Sequence, residues 1–107
     1  MKRITSYEPS IDRITVMVRD CSYTETSSNP QAPLILLEDN HREGYAGFAI
    51  TCARPFCLRH HLVRDGVVLL RDALDAITEA FPDMKDACGI AQGILRKNRI
   101  VKVAMAS

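Results

Sequence analysis

The longest regular pattern of apolar residues lies between residues 67 and 81, in the segment VVLLRDALDAITEAF. Its large apolar side chains recur at spacings of three and four residues, namely Val67, Leu70, Leu74, Ile77 and Phe81. This spacing places them on one face of a helix, with Arg71, Asp72 and Asp75 on the opposite face. Full burial of each large side chain contributes roughly 1.5–3 kcal/mol to stability. The pattern therefore predicts a helix over about 67–81 that packs on the core.

A second helix is predicted over about 83–97, because Pro82 ends the first helix and is compatible with the start of another. One side of this helix is unusually small, with Ala87, Gly89, Ala91 and Gly93. Each glycine in a helix costs roughly 1 kcal/mol relative to alanine. Close packing against another element would offset this cost, so we expect the backbone of the helix to approach another element closely on this side.

Alternating residues predict strands in the first half of the chain. Residues 12–20 place Ile14, Val16 and Val18 on one face, which is typical of a half-buried strand that residues 21–26 would prolong. A short edge strand around Ile4 is predicted before it, and residues 100–105 predict a final strand at the other end of the chain.

A hairpin is predicted in the middle of the chain. The continuous apolar run LILLED, residues 34–39, is typical of a strand buried on both faces. Residues 45–52 alternate again and place Phe48, Ile50 and Cys52 on one face. The polar segment NHREG between the two runs is the expected turn.

Residues 56–64, FCLRHHLVR, fit two structures. Phe56, Leu58, His60 and Leu62 alternate as in a strand, and a helical turn fits almost as well. Asp65-Gly66 separates this segment from the long helix, where Asp65 is predicted as an N-cap or first-turn acid.

Together these elements predict one α+β domain that spans residues 1–107. We expect an antiparallel sheet of three to five strands with the two helices, about 67–81 and 83–97, packed on one face. The composition, with 47% hydrophobic and 25% charged residues, is that of a globular protein. No apolar run approaches the roughly 20 residues of a membrane-spanning helix, and no export signal is visible, so a cytoplasmic protein with reduced cysteines is expected.

Charge is distributed unevenly along the chain. Residues 1–53 carry five Lys or Arg against seven Asp or Glu, whereas residues 54–107 carry nine against six. The candidate residues for an anionic partner fall in two groups, which are Arg54, Arg59 and Arg64, and then Arg96, Lys97, Arg99 and Lys102. If the fold brings the groups together, they predict a nucleic-acid-binding regulator with a helix-turn-helix-like C-terminal half. Asp83 and Asp86 at the start of the second helix oppose that alternative, because they would repel phosphates.

A second cluster, Cys52, Cys57, His60 and His61, contains the thiol and imidazole groups that bind zinc. It gives a further alternative, a small zinc-stabilised module, although the spacing departs from that of zinc fingers. Cys57 beside a histidine is also a candidate nucleophile. No P-loop, dinucleotide fingerprint or nucleophile elbow is present, so we expect neither an enzyme nor an organic cofactor.

The leading functional hypothesis is therefore a small accessory or regulatory protein. It would bind a larger protein and modulate it as an inhibitor or adaptor, or act as a homodimer. Candidate interface residues are the outward-facing Met17 and the small residues Gly89 and Gly93.

Overall fold

The computed structural model describes residues 3–105, which form two antiparallel sheets and three helices. The strands are β1 (Ile4–Glu8), β2 (Arg13–Met17), β3 (Tyr23–Thr26), β4 (Leu34–Asp39), β5 (Tyr45–Thr51), β6 (Val63–Arg64), β7 (Val67–Leu69) and β8 (Lys102–Ala104). The helices are α1 (Ala53–Arg59), α2 (Leu70–Ala80) and α3 (Lys85–Asn98), with a 3-10 turn at Pro82–Met84 between α2 and α3. The α+β class is confirmed.

The large sheet has the strand order β1-β2-β5-β4-β3, with all neighbouring strands antiparallel. On its inner face, Ile14 pairs with Ile50, and Val16 pairs with Phe48. These four side chains are fully buried. The predicted alternation in residues 12–20 and the predicted hairpin are thus confirmed, with β4 and β5 as the two arms of the hairpin.

Helices α2 and α3 cover this inner face and form one core with it. Leu70, Leu74 and Ile77 of α2 are fully buried, and Cys88, Ala91 and Leu95 of α3 are nearly so. The two predicted helices therefore pack on one face of an antiparallel sheet, as expected. The structure adds a third helix, α1, and a small sheet of order β6-β7-β8.

The first predicted helix begins three residues later than the pattern indicated. Residues 67–69 form strand β7, which pairs with β6 on one side and β8 on the other. Asp65 and Gly66 have φ values of 54° and 74° and connect β6 to β7 as a tight hairpin turn. The prediction of Asp65 as a helix cap is therefore wrong, because Leu69 occupies the N-cap position of α2.

Of the small residues predicted to allow close approach to the second helix, Ala91 is fully buried in the core, but the two glycines are not in close contact with another element. A Cβ atom added at Gly89 or Gly93 would meet no atom within 4 Å, so both glycines border open space. Their helix, α3, covers 85–98 rather than 83–97, because Pro82–Met84 forms a 3-10 turn before it.

Residues 56–64 divide between two elements. Ala53–Arg59 is helical, and Val63–Arg64 is a strand. Cys52 does not continue the buried face of β5, since it is exposed and left-handed, with φ 47°. The main chain of residues 18–22 leaves β2, so Tyr23–Thr26 is a separate strand at the far edge of the sheet, paired with β4.

The outer face of the large sheet is curved. Arg13 on β2 forms an ion pair of 3.0 Å with Glu25 on β3, although β5 and β4 lie between these strands. Three strand spacings on a flat sheet would place the backbones of β2 and β3 about 14 Å apart. The sheet therefore curls over a trough that Met17 and Tyr23 line. Within residues 3–105, none of the helices has the length and apolar character needed to cross a bilayer.

Candidate functional site

The outer face of the small sheet brings basic residues from distant parts of the chain together. Val68 and Val103 pair with each other and point into the core. The adjacent pair, Leu69 and Lys102, therefore points to the opposite side. Arg64 pairs with Val67 on this same outer side.

A cleft of about 400 Å³ adjoins this sheet, between the start of α2 and the end of α3. Arg71 from the first turn of α2 lines it, together with Arg96 and Arg99 from the end of α3. Arg99 reaches this position because it ends α3 in a left-handed conformation, with φ 56°. The apolar part of the lining is Leu69, Leu95, Ile100 and Val101.

A second cleft of about 470 Å³ lies next to the first and shares Leu69 and Asp72 with it. Its other lining residues include His60, His61 and Arg64. The two basic groups predicted from the sequence therefore line adjoining clefts, with Arg64 of one group in the second cleft and Arg96 of the other in the first. We call this surface the basic face, defined by Arg64, Leu69, Arg71, Arg96, Arg99, Val101 and Lys102.

The five cations of the basic face form no ion pair within the described part of the chain. The ion pairs found among residues 3–105 are Arg13 with Glu25 and Arg19 with Asp39, and both lie elsewhere. The acid that lines the two clefts is Asp72. In the centre, Leu69 is 46% exposed and Val101 63% exposed, so the face combines positive charge with uncovered aliphatic surface.

Three other predicted basic residues lie outside this face. The guanidinium of Arg54 lies 5.5 Å from the centre of the Tyr7 ring, and its backbone N–H donates to Asp12 Oδ1. Arg59 ends α1 and lines neither cleft. Lys97 lines a different cavity on the other side of α3.

The start of α3 is covered, which does not support the helix-turn-helix alternative. The side-chain amide of Asn29 donates to Asp83 at 3.0 Å, and the Ser28 hydroxyl contacts the Met84 sulfur. A recognition helix needs its N-terminal end free to enter the major groove. Here a loop and acidic side chains occupy that end.

The predicted zinc ligands do not converge. Across residues 3–105, no group of three or more His, Cys, Asp or Glu side chains is placed to hold a metal ion. Cys52 is exposed, whereas Cys57 is fully buried. The ring of His60 packs on Phe56, with 4.3 Å between ring centres.

The environment of Cys57 also opposes its role as a nucleophile. Burial, with a smaller contribution from the charge of Asp12, raises the pKa of this thiol to about 11. The thiolate is the reactive form, so it is scarce near neutral pH. Cys57 thus has the properties of a core residue.

The predicted interface residues are separated from one another. Met17 is partly buried on the outer face of the large sheet. Gly89 is exposed and Gly93 half-buried on α3, which covers the opposite, inner face. These three residues therefore do not form a common surface.

Comparisons with protein-family models, with curated proteins and with solved structures gave no match. Functional inference therefore rests on the geometry of this chain. Sequence reasoning missed Arg71, Leu69 and Val101 as parts of the basic face. Pairing of β7 with β8 brings Leu69 opposite Lys102, and no local pattern reports that pairing.

Proposed function

We propose that this protein is a cytoplasmic accessory protein that binds a larger protein through the basic face and modulates it. The partner surface is acidic at its rim and carries an apolar ridge at its centre. The observation that supports this proposal is the convergence of five cations, without ion pairs inside the described chain, around the exposed Leu69 and Val101.

The arrangement matches the general anatomy of protein interfaces. These have an apolar centre that is desolvated on binding and a polar rim, with arginine enriched. Burial of exposed aliphatic surface contributes roughly 25 cal/mol per Å² before the costs of association. The surrounding cations would mainly steer an acidic partner and select it over neutral ones.

Nucleic acid is the runner-up partner, and the composition of the basic face favours protein over it. The residues that line the two clefts include no Phe, Tyr or Trp on which bases could stack, and the ring of His60 already packs on Phe56. Asp72 lines both clefts, and its carboxylate would repel phosphates there. An acidic protein can place its carboxylates around Asp72, whereas a regular phosphate backbone has less freedom to do so.

Site-specific photo-crosslinking in the native host tests the proposal. A photoreactive phenylalanine analogue replaces Leu69, and a control chain carries it at Ile11, which is also exposed but lies beside the outer trough. The expected result is one protein adduct specific to position 69, identified by mass spectrometry. Adducts with nucleic acid, or equal adducts at the two positions, would contradict the proposal.

The crosslinked partner is then purified and its affinity measured by calorimetry with two matched variants. Arg71→Glu places an acid in the first turn of α2, and Lys85→Glu does the same in α3, where an acid is favourable to the helix in both cases. We expect Arg71→Glu to weaken binding by tenfold or more and Lys85→Glu to leave it unchanged. Equal affinities for the two variants would overturn the assignment of the basic face.

A further inference from the structure

A separate cavity of about 470 Å³ lies between α3 and the end of the large sheet. Its cations are Arg19, which follows β2, Arg42 from the turn between β4 and β5, and Lys97 of α3. Apolar walls come from Ile90, Ile94 and the ring of Tyr45. No residue of the basic face lines this cavity, so it is a different site.

Arg19 is held rigidly in this cavity. Its Nη1 donates to Asp39 Oδ2 at 3.1 Å and to the Glu43 carbonyl at 2.9 Å. A Cβ atom at Gly44 would lie 2.8 Å from Nη2 of Arg19, so a residue without a side chain makes room for the guanidinium. Both hydrogen bonds use Nη1, so within residues 3–105 the Nε and Nη2 groups of this cavity-lining residue keep their donors.

The charge of the cavity is strongly positive. Asp39 balances Arg19, and its side chain is only 1% exposed. Hydrogen bonds from the His41 N–H and then from Arg19 and the Arg42 N–H lower the Asp39 pKa to about 2, so this pair stays ionised. Arg42 and Lys97 have no ion pair among the described residues, and no carboxylate lines the cavity.

Two further features are not explained by packing. Gly93 lies in the cavity wall, in the middle of α3, where a Cβ atom would meet nothing within 4 Å. Glycine there costs roughly 1 kcal/mol relative to alanine, and its lack of a side chain keeps the cavity open. The hydroxyl of the half-buried Tyr45 is accessible at the cavity and can bond a ligand there.

We propose that this cavity binds a phosphate monoester with a small apolar or aromatic group. Arg19, Arg42 and Lys97 hold the phosphate, and Ile90, Ile94 and Tyr45 contact the organic part. A phosphate dianion matches the two unpaired cations, Arg42 and Lys97, better than a singly charged carboxylate does. A guanidinium group also donates two parallel hydrogen bonds to two oxygens of one phosphate. A volume of about 470 Å³ falls within the usual range for small-molecule sites and exceeds what a bare phosphate ion needs.

Phenyl phosphate is the probe, because it combines the two required chemical groups. Its affinity is measured by titration in nuclear magnetic resonance spectra, with inorganic phosphate, phenol and benzoate in parallel. The expected result is saturable binding at least tenfold tighter than for any of the three, with the largest shifts at the amides of Gly93 and Gly44. If phenyl phosphate does not bind, or binds no tighter than inorganic phosphate, the proposal is wrong.

Gly93→Leu and Gly89→Leu form a matched pair of variants on α3. Leucine is a good helix former, and neither glycine is crowded, so both variants should fold. Leucine at 93 fills the cavity and should weaken phenyl phosphate binding by tenfold or more, whereas leucine at 89 should leave it unchanged. Loss of binding in both, or in neither, would overturn the proposed location.

A charge variant gives a second readout. Arg42→Gln removes one unpaired cation at an exposed position, and we expect about a tenfold loss of affinity for phenyl phosphate with no change for phenol. Arg71→Glu, on the basic face, should leave phenyl phosphate binding unchanged. Because protein docking is measured separately with Arg71→Glu, failure of either proposal is distinguishable from failure of the other.

Discussion

The centre of the large sheet and helix α3 each contain glycine, for opposite reasons. A Cβ atom at Gly47 in β5 would overlap the carbonyl oxygen of Val16 in the neighbouring strand. At Gly89 and Gly93 of α3, the same atom would meet nothing within 4 Å. The sheet therefore requires glycine, whereas the helix has room for a side chain at these two positions.

This difference separates residues that the fold needs from residues that it does not. Packing dictates Gly47, Phe48 and Ile14 in the sheet. Packing gives no reason for Gly93, for the exposed Leu69 or for the unpaired Arg96. Residues of the second kind define the candidate binding surfaces.

Gly47→Ala should have the largest effect on stability. The added methyl group collides with backbone, which cannot move without breaking the pairing of β2 and β5. We expect a loss of about 3 kcal/mol, the upper range for overpacking. Urea denaturation measures this loss, with Gly89→Ala as the control, and a change below about 1 kcal/mol would show that β2 can shift.

Cys57 and Cys52 extend the comparison to buried and exposed thiols. Because the Cys57 pKa is raised from 9.0 to about 11, its thiolate fraction near neutral pH is about 100-fold lower than for an unperturbed thiol. Cys57 is also fully buried, whereas Cys52 is exposed, so iodoacetamide should modify Cys52 at least 100-fold faster than Cys57, as peptide mass spectrometry over time would show. The raised pKa of Cys57 also makes the free energy of unfolding depend on pH. Its contribution is complete below pH 9, where the thiol is protonated in both states, and is lost as pH rises through 11, because the unfolded chain ionises first. Comparable modification rates would mean that Cys57 is accessible.

Asp39 and its neighbour Glu38 compare a buried with an exposed carboxylate. Asp39 has a pKa lowered to about 2 by the His41 N–H, Arg19 and the Arg42 N–H, whereas Glu38 is exposed. The lowered pKa stabilises the fold above pH 4, and this contribution is lost as pH falls through 2. Thermal melts between pH 2 and 5 should show a weaker pH dependence for Asp39→Asn than for wild type. Glu38→Gln should behave as wild type, and identical profiles for all three proteins would refute the role of Asp39.

Gly89→Ala and Gly93→Ala should have the smallest effects, and they should stabilise the protein. Alanine restricts the unfolded chain and meets no atom in the fold, so a gain of about 0.5–1 kcal/mol is expected for each. Chemical denaturation of each variant would check the gain. A loss at Gly93 alone would indicate that residues around the cavity move closer to α3 than the structure places them.

Much of the fold follows from local periodicity. The alternation of Ile14, Val16 and Val18 identifies β2 and its buried face, and the spacing of Leu70, Leu74 and Ile77 identifies the buried face of α2. Val67 fits the same helical spacing but belongs to β7. The Asp65-Gly66 pair was the available signal, since Asp-Gly between apolar residues favours a tight hairpin.

The candidate sites were less accessible to sequence reasoning because they depend on long-range pairing. Arg96 and Arg99 are basic in the sequence, but their place on a cleft that adjoins the cleft of Arg64 depends on the pairing of β7 with β6 and β8. Arg19 and Arg42 were not recognised, since Arg19 follows a strand and Arg42 lies in a turn. The cavity that they share with α3 exists only once the helix packs across the sheet.

The capping of α1 has a consequence for the order in which the chain folds. This helix has seven residues and no side-chain cap of its own. Its first amides, those of Ala53 and Arg54, donate instead to the carbonyl and carboxylate of Asp12. Helices this short do not persist alone in water. Helix α1 should therefore form only after β2 has paired with β5. Pulse-labelled hydrogen exchange should find the amides of α1 protected no earlier than the amide of Ile14.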